Sequence, residues 1–295
     1  MEFYLDKYTA YLESEKDLSA NTLESYLSDI RQYIEYLSSK NITHIRYASH
    51  AIVLTYMLSL EKEGGAPSTI QRKMSSLRSY YRYLLMNHLV EQDPTSNLVP
   101  PKNERKLPNV LTSDEAKRLL NQPQGDDCKS IRDKAMLELL YATGIRVSEL
   151  ISLNLDDINT EVGYLRCIGP SGRERIIPIT PAALQHLKNY IKIARGKLLR
   201  NPADNTLFVN VHGKRMTRQG FWKIIKQYKE MANIEKEITP QTLRHSFAIH
   251  MVESGADIRS VQEILGHSDI STTQIYSQVN LNLKSSYTKP HPNLS

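Results

Sequence analysis

The sequence predicts a mainly α-helical protein, with an amino-terminal domain of four helices followed by a helical domain that carries a small antiparallel β-sheet. Through most of the chain, apolar residues recur at intervals of three and four, which is the period of a helix buried along one side. Residues 163–168 and 174–179 break that period and flank the turn sequence PSGRE, as the two strands of a hairpin do. Neither a glycine-rich phosphate loop nor alternating strands and helices occur, so nucleotide hydrolysis is not expected.

Length, charge and cysteine content limit the classes of function. A chain of 295 residues, 40% of them apolar, has room for two domains with a core each. No apolar run approaches the roughly 18 residues that span a bilayer, and the first residues lack the layout of a signal peptide, so a cytoplasmic protein without a membrane partner is expected. The two cysteines, Cys128 and Cys167, predict neither a disulfide framework nor structural zinc. The net charge of +6 permits nucleic-acid binding without establishing it.

Four helices are predicted in the first ninety residues, over 1–13, 19–37, 52–60 and a segment that begins near Ser68. Asn21, followed three residues later by Glu24, predicts a capping box for the second helix. The apolar face of the fourth helix consists of Ile70, Met74, Leu77, Tyr81, Leu84 and Leu85.

The opposite side of the fourth helix is basic, and short hydroxyl side chains stand between its charges. Such a face allows close approach to a DNA backbone, although a solvated charged face explains the same pattern. The candidate DNA contacts on this helix are Arg72, Lys73, Arg78 and Arg82.

Residues 94–111 are predicted to form a basic, proline-rich linker between domains 1–93 and 112–295. Its Lys102, Arg105 and Lys106 are further candidate DNA contacts. Thr112 and Ser113 then offer the cap of a new helix.

In the second domain a helix is predicted from Ser130 to Thr143, where Gly144 ends it, and a short helix follows through Glu149. After the hairpin, helices are predicted to begin near Pro181, Arg218, Pro240, Ala256 and Ser271.

Four separate segments supply residues suited to one phosphate group: Arg146, Arg244, His267 and Tyr276. Two guanidinium groups can pair with the non-bridging oxygens of a phosphodiester, and a tyrosine hydroxyl can attack the phosphorus when it is held in line. Glu149, three residues after Arg146, is expected to hold that guanidinium in place. The Arg244 side chain is expected to emerge at the edge of the core.

Each of these residues, taken alone, more often has a structural role. The chain has 17 tyrosines, and single arginines or helix-end histidines usually serve in surface ion pairs or caps. His245 and His250 are five residues apart, which does not place them on one helical face as a zinc pair requires.

Longer stretches around these residues resemble the Xer-type tyrosine recombinases of the phage integrase family. They are TGIRVSEL (143–150), TRQGFWKIIK (217–226), the run from Thr239 to Tyr276 that contains LRHSFAIH and ILGHSD, and the tail SSYTKPHP (285–292). The resemblance also covers the amino-terminal helices, as a core-binding domain, and the PPK sequence of the linker.

This resemblance implies a site-specific DNA recombinase that needs no cofactor. Tyr276 would form a 3′-phosphotyrosyl bond, Arg146 and Arg244 would clamp the phosphate, and His267 would donate a hydrogen bond in the transition state. Such enzymes act on double-stranded DNA sites as homo-tetramers or as hetero-tetramers with a second recombinase. The tail from about Leu281 would dock on a neighbouring subunit. The implied role is chromosome dimer resolution, with a DNA translocase as a candidate partner, and recombination of a mobile element is the alternative.

The sequence departs from this family at two positions. Pro170 stands where members carry a lysine that protonates the leaving oxygen, and Gln241 stands where they carry a histidine. Arg173 and Arg175 lie near Pro170, but a guanidinium with a pKa above about 12 is a poor proton donor. A partly inactive, partner-dependent DNA-binding homologue is therefore a second hypothesis, and Arg173 and Arg218 are candidate DNA contacts in this domain.

Three other classes remain open at this point. A type IB topoisomerase would use the same tyrosine chemistry without needing a specific site. A regulatory DNA-binding protein would leave Tyr276 idle, and a metal-dependent nuclease would stop in the presence of a chelator.

Overall fold

The computed structural model describes residues 1–15, 18–99, 109–169, 172 and 174–266. The chain divides into two compact units, Met1–Arg105 and Lys106–Ser295. In the described part of the chain, no helix combines the length and the apolar character that crossing a membrane requires.

The first unit contains the predicted four helices. They are α1 (Glu2–Glu15), α2 (Ala20–Ser39), α3 (His50–Lys62) and α4 (Pro67–Met86), with a turn of 3₁₀ helix at Ile45–Tyr47. Pro67 opens α4 at a position where no backbone N–H is needed. The predicted capping box of α2 is wrong: the hydroxyl of Ser19 accepts from the backbone N–H of Thr22 at 3.2 Å, so Asn21 and Glu24 lie inside the helix.

The core of the first unit follows the predicted apolar stripes. Five of the six residues predicted for the apolar face of α4 are buried, and the sixth, Leu85, is 38% exposed because it lies about 100° around the helix from Leu84. Tyrosines fill much of this core. The hydroxyls of Tyr33 and Tyr81 share a hydrogen bond of 2.9 Å, whereas that of Tyr56 is buried without a partner among the described residues.

The second unit is helical and carries one small sheet. Its helices are α5 (Ser113–Leu120), α6 (Cys128–Thr143), α7 (Val147–Ser152), α8 (Pro181–Asn189), α9 (Gly196–Leu198), α10 (Arg218–Met231), α11 (Pro240–Glu253) and α12 (Ile258–Leu265). A 3₁₀ turn lies at Leu155–Asp157, and a π-helical segment, Tyr190–Arg195, joins α8 to α9.

The sheet has three antiparallel strands in the order β1 (Ile158–Asn159), β2 (Tyr164–Ile168) and β3 (Glu174–Pro178). The predicted hairpin of β2 and β3 is confirmed, and β1 was not predicted because two residues are too few to show a period. Cys167 and Arg175 are opposite each other on the inward face of the hairpin. Burial raises the pKa of the Cys167 thiol to about 12, so this cysteine stays protonated at neutral pH.

Polar caps set the helix boundaries in this unit. Thr112 and Glu115 form a capping box for α5, as the sequence predicts. Asp127 caps α6, which therefore begins at Cys128, two residues before the predicted start. Asp257 caps α12, and the helix predicted near Ser271 lies outside the described residues.

Candidate active site

A cleft of about 500 Å³ in the second unit brings together the first turns of α7, α10 and α11. Its lining includes Arg146, Arg244, Gln241 and Arg218, four of the predicted site residues. The amino-terminal ends of α10 and α11, which carry the positive end of the helix dipole, form part of this lining. The cleft is therefore suited to an anionic group.

Arg146 caps the short helix α7 and is tied to Glu149. Its backbone N–H donates to Glu149 Oε2 at 2.7 Å, and its Nη1 donates to Oε1 at 3.2 Å. Its Nη2 donates to the carbonyl oxygen of Gly266 at 3.1 Å. The contact predicted from the spacing of Arg146 and Glu149 is present, and about a third of the arginine side chain stays exposed at the cleft.

Glu149 is buried and also binds a second guanidinium. Arg175 Nη1 and Nη2 donate to its two carboxylate oxygens at 3.0 and 2.7 Å. Burial alone would raise the pKa of Glu149, but the hydrogen bonds from Arg175 and from the Arg146 backbone, with both positive charges, bring it below its usual value. Glu149 is therefore a fixed negative charge between two arginines.

Arg244 is 2% exposed, so the expectation that its side chain emerges at the edge of the core is wrong. Its Nη1 donates to the carbonyl oxygen of Gly144 at 2.6 Å, and its Nη2 donates to that of Leu265 at 2.5 Å. These backbone acceptors satisfy the buried guanidinium and orient the side chain, which reaches the cleft with a small part of its surface.

Gly144 makes this arrangement possible. It ends α6 in the left-handed conformation, at φ 61°, and its carbonyl group faces Arg244. A Cβ atom at this position would lie 2.3 Å from Cδ1 of Phe247. Both the backbone conformation and the available space therefore require glycine.

The sequence did not single out Trp222 or the structural role of Arg175. Trp222 lines the cleft and is 47% exposed, with Nζ of Lys226 at 6.0 Å from the centre of its ring. Trp222 belongs to no motif of its own and caps no helix, so the sequence marks it only as part of the stretch TRQGFWKIIK that resembles the family. Arg175 pairs with Glu149 rather than lining the cleft, a contact that depends on the register of β3.

Several predicted site residues lie outside the described part of the chain. They are His267, Tyr276, Pro170, Arg173, Lys102, Arg105 and Lys106. Among the histidines within it, His250 Nδ1 shares a hydrogen bond of 2.7 Å with the hydroxyl of Tyr141. No cluster of His, Cys, Asp or Glu that could hold a metal ion occurs among the described residues.

The basic face of α4 is only partly available to a ligand. Lys73 is buried, with Nζ 3.1 Å from Asp29 Oδ1, so the structure does not fit its predicted role as a DNA contact. Arg72 also pairs with Asp29 but is 41% exposed. Arg78, whose guanidinium donates to the carbonyl of Leu98, and the exposed Arg82 line a cleft of about 520 Å³ within the first unit.

Two family models match the chain. The phage integrase family matches residues 109–282, and the phage integrase N-terminal SAM-like domain matches residues 5–88. The tyrosine recombinase XerD of Halalkalibacterium halodurans is 46% identical over 290 residues, which cover 98% of this chain and 97% of that protein. The tyrosine recombinase XerD of Oceanobacillus iheyensis is 44% identical over 295 residues, 99% of each chain.

Solved structures share the fold. The crystal structure of XerA recombinase matches with a TM-score of 0.54 and 26% identity, over 98% of this chain and 99% of that one. The XerH site-specific recombinase bound to a palindromic difH substrate matches with a TM-score of 0.75 and 20% identity, over 90% of this chain and 78% of that one. These structural likenesses concern the fold, whereas the family models and the XerD relatives, which match over nearly their whole length, show the family. The chain therefore belongs to the phage integrase family and is a site-specific tyrosine recombinase of the Xer type.

Proposed function

We propose that this chain cuts and rejoins duplex DNA at a specific site through a 3′-phosphotyrosyl intermediate on Tyr276. The observation that carries the proposal is that Arg146 and Arg244, from separate segments of a tyrosine recombinase, line one cleft. Their guanidinium groups would bind the non-bridging oxygens of the scissile phosphate and neutralise the charge that grows there in the transition state.

The two arginines can do this because protein groups already orient them. Arg244 is fixed by two backbone carbonyls and Arg146 by Glu149 and a third carbonyl. Donors held in place before the substrate arrives need little reorganisation during the reaction, which is the condition for electrostatic catalysis. Gln241 and Arg218 line the same cleft and would add a hydrogen bond and a contact to the DNA backbone.

The proposed step conserves the energy of the phosphodiester. The phenol of Tyr276 gives up its proton as its oxygen attacks the phosphorus, the bond from phosphorus to the 5′ oxygen breaks, and that oxygen takes up one proton and leaves as a hydroxyl, so no net proton is gained or lost. His267 would donate a hydrogen bond to the phosphoryl group. Attack by the 5′ hydroxyl of another strand reverses the step and releases the tyrosine, so no nucleotide or other cofactor is consumed.

For the domains we propose that residues 1–93 bind DNA, that 94–111 link the domains and contact the backbone, and that 112–295 carry the catalytic site. The two family models, which match residues 5–88 and 109–282, support this division. We further propose a homo- or hetero-tetramer on two DNA sites, regulated by a DNA translocase. This assembly follows from the family resemblance.

A nicked suicide duplex tests the chemistry. A duplex selected for binding to the chain from a random-sequence pool is nicked beside the cleavage position, so that the freed fragment diffuses away and the covalent complex accumulates. We expect an adduct that survives detergent with the parent chain and with Tyr47→Phe, a control at an exposed tyrosine (58%) of the first unit. Tyr276→Phe is expected to bind the duplex normally without forming the adduct. An adduct in Tyr276→Phe would overturn the assignment of the nucleophile.

Pro170 and Gln241 support a second candidate, a recombinase that binds its site while a partner subunit does most of the cutting. Loss of a general acid or base costs about a hundredfold to ten-thousandfold in rate. The double substitution Pro170→Lys with Gln241→His is therefore expected to raise the rate of adduct formation by at least about tenfold at unchanged site affinity. An unchanged rate would show that other groups already supply the proton transfers.

For the biological role we propose chromosome dimer resolution, because the match to the two relatives named XerD covers 97% and 99% of their length. Mapping the bound DNA across the source genome distinguishes this role from recombination of a mobile element. Binding at one chromosomal site is the expected result, and binding at the ends of a mobile element would assign the alternative.

A further inference from the structure

Three arginines bind three consecutive carbonyl groups at the end of α12. Arg175 Nε donates to the carbonyl of Ile264 at 3.0 Å, Arg244 Nη2 to that of Leu265 at 2.5 Å, and Arg146 Nη2 to that of Gly266 at 3.1 Å. The last carbonyls of a helix lack partners within it and carry its negative partial charge, so guanidinium groups stabilise them. His267 follows directly in the sequence.

Arg175 differs from the other two arginines because it does not line the cleft. Its side chain is 14% exposed, and all three of its nitrogens donate to protein groups: Nε to Ile264, and Nη1 and Nη2 to the carboxylate of Glu149. We propose that Arg175 is a positioning residue, which holds Glu149 against Arg146 and fixes the end of α12 from which His267 follows. This inference rests on the proposed function for its catalytic consequence.

The contact between Arg175 and Glu149 has the geometry of a strong ion pair. Both carboxylate oxygens accept from one planar guanidinium, at 3.0 and 2.7 Å, in a site largely closed to water. The same carboxylate accepts from Nη1 and the backbone of Arg146. A shift of Glu149 would therefore move the catalytic guanidinium as well.

Packing at Gly266 joins the hairpin to α12. A Cβ atom at Gly266 would lie 3.0 Å from Cζ of Arg175, so the helix end rests directly on the guanidinium plane. Arg175 itself is held in register on β3, opposite Cys167 of β2. The hairpin in which Pro170 replaces the family lysine thus still contributes to the site, through a charge that orients other groups.

The test compares Arg175→Gln with Arg175→Lys and a matched control, Arg166→Gln. Arg166 lies on the neighbouring strand, is 45% exposed and pairs with Asp157 at 3.4 Å, so its variant removes a similar charge without touching Glu149. The probe is the selected nicked duplex. Since misplacement by about 1 Å can cost a hundredfold in rate, we expect Arg175→Gln to slow adduct formation about 10- to 100-fold, with site affinity within about threefold. Arg175→Lys should recover part of the loss, and Arg166→Gln should react like the parent chain.

A second substrate separates positioning from loss of stability. A duplex with a methylphosphonate at the scissile position lacks one of the charged oxygens that the guanidinium groups neutralise. If Arg175 acts by orienting Arg146, the rate loss of Arg175→Gln should be several-fold smaller on this substrate than on the phosphodiester. Equal losses on both substrates, or a normal rate on the phosphodiester, would overturn the inference.

Crystal structures of the parent chain and of Arg175→Gln decide the matter independently of activity. We expect the Arg146 guanidinium to leave Glu149 and the end of α12 to shift in the variant. An unmoved Arg146 would refute the positioning role, whether or not the parent chain forms an adduct. Failure of the parent chain to form an adduct would refute only the proposed function. If Arg175→Gln does not fold, the same comparison is made with Arg175→Lys.

Discussion

Substituting Gly144 with alanine tests the packing that holds Arg244. Gly144 has φ 61°, and a Cβ atom there would lie 2.3 and 2.7 Å from two ring carbons of Phe247 and 3.0 Å from Cδ2 of Leu265. Contacts this short cannot persist, so either the Phe247 ring or the backbone that carries the Gly144 carbonyl must move. That carbonyl accepts the hydrogen bond from Arg244, so a perturbation of packing is also a perturbation of the site.

The expected cost has two parts. Alanine in the left-handed conformation costs roughly 1–2 kcal/mol, and overpacking a core costs roughly 1–3 kcal/mol more. Gly255→Ala is the matched control, because Gly255 also has a positive φ, 92°, but nothing lies within 4 Å of its Cβ position. The free energy of unfolding should therefore fall by about 2–5 kcal/mol in Gly144→Ala and by about 1–2 kcal/mol in Gly255→Ala.

Urea unfolding followed by tryptophan fluorescence measures both values. Trp222 is the single tryptophan of the chain and lies in the second unit, so the signal reports the unfolding of that unit alone. If Gly144→Ala loses no more stability than Gly255→Ala, the Phe247 ring yields without cost and the steric part of the reasoning is refuted. We also expect Gly144→Ala to slow adduct formation more than Gly255→Ala does.

Three further predictions concern other charges and hydroxyls. Tyr56→Phe should leave the thermal stability unchanged or raise it slightly, because its buried hydroxyl has no partner among the described residues, and a lower melting temperature would contradict this. Burial and the charge of Arg244 lower the pKa of His245 to about 4 in the folded chain, whereas in the unfolded chain its pKa is the usual value of about 6.5. Stability of the second unit should therefore fall as the pH drops from about 6.5 towards 4, and His245→Gln should flatten that fall in urea titrations. Arg82→Ala should lower the slope of log binding constant against log salt concentration by about the value expected for one phosphate contact. Lys73→Met should leave that slope unchanged and destabilise the first unit, because it leaves the buried carboxylate of Asp29 without this ion-pair partner.

The features that the sequence predicts correctly depend on residues close together in the chain. The hydroxyl of Thr112 and the carboxylate of Glu115 cap α5 across three residues, and Gly144 ends α6 because only glycine readily adopts the conformation required there. The contact of Arg146 with Glu149 follows from the same short spacing. Even here the capping residue can differ from the predicted one, as Ser19 does for α2, because several polar side chains compete for the same free N–H groups.

Burial of a charged side chain is decided by partners far away in the chain, and no local pattern contains them. Lys73 shares its helix and its charge with Arg72, yet it is buried because Asp29, 44 residues earlier, lies opposite it. A carboxylate partner can at least be recognised in the sequence as a residue of opposite charge.

Backbone carbonyl partners cannot be recognised in a sequence, and this limits what a catalytic motif can predict. Arg244 and Arg146 reach carbonyl groups 100 and 120 residues away, and every residue of the chain carries a carbonyl group. The motif therefore identifies the two arginines but not what orients them, because the orienting groups are backbone carbonyls at the ends of α6 and α12 and a third arginine, Arg175, on β3. It follows that a chain can keep both arginines and still differ in activity, either through the residues that replace proton donors, such as Pro170, or through the contacts that hold the guanidinium groups. Measuring the Arg175 and Gly144 variants beside the Pro170 variant would show which of these two causes sets the rate.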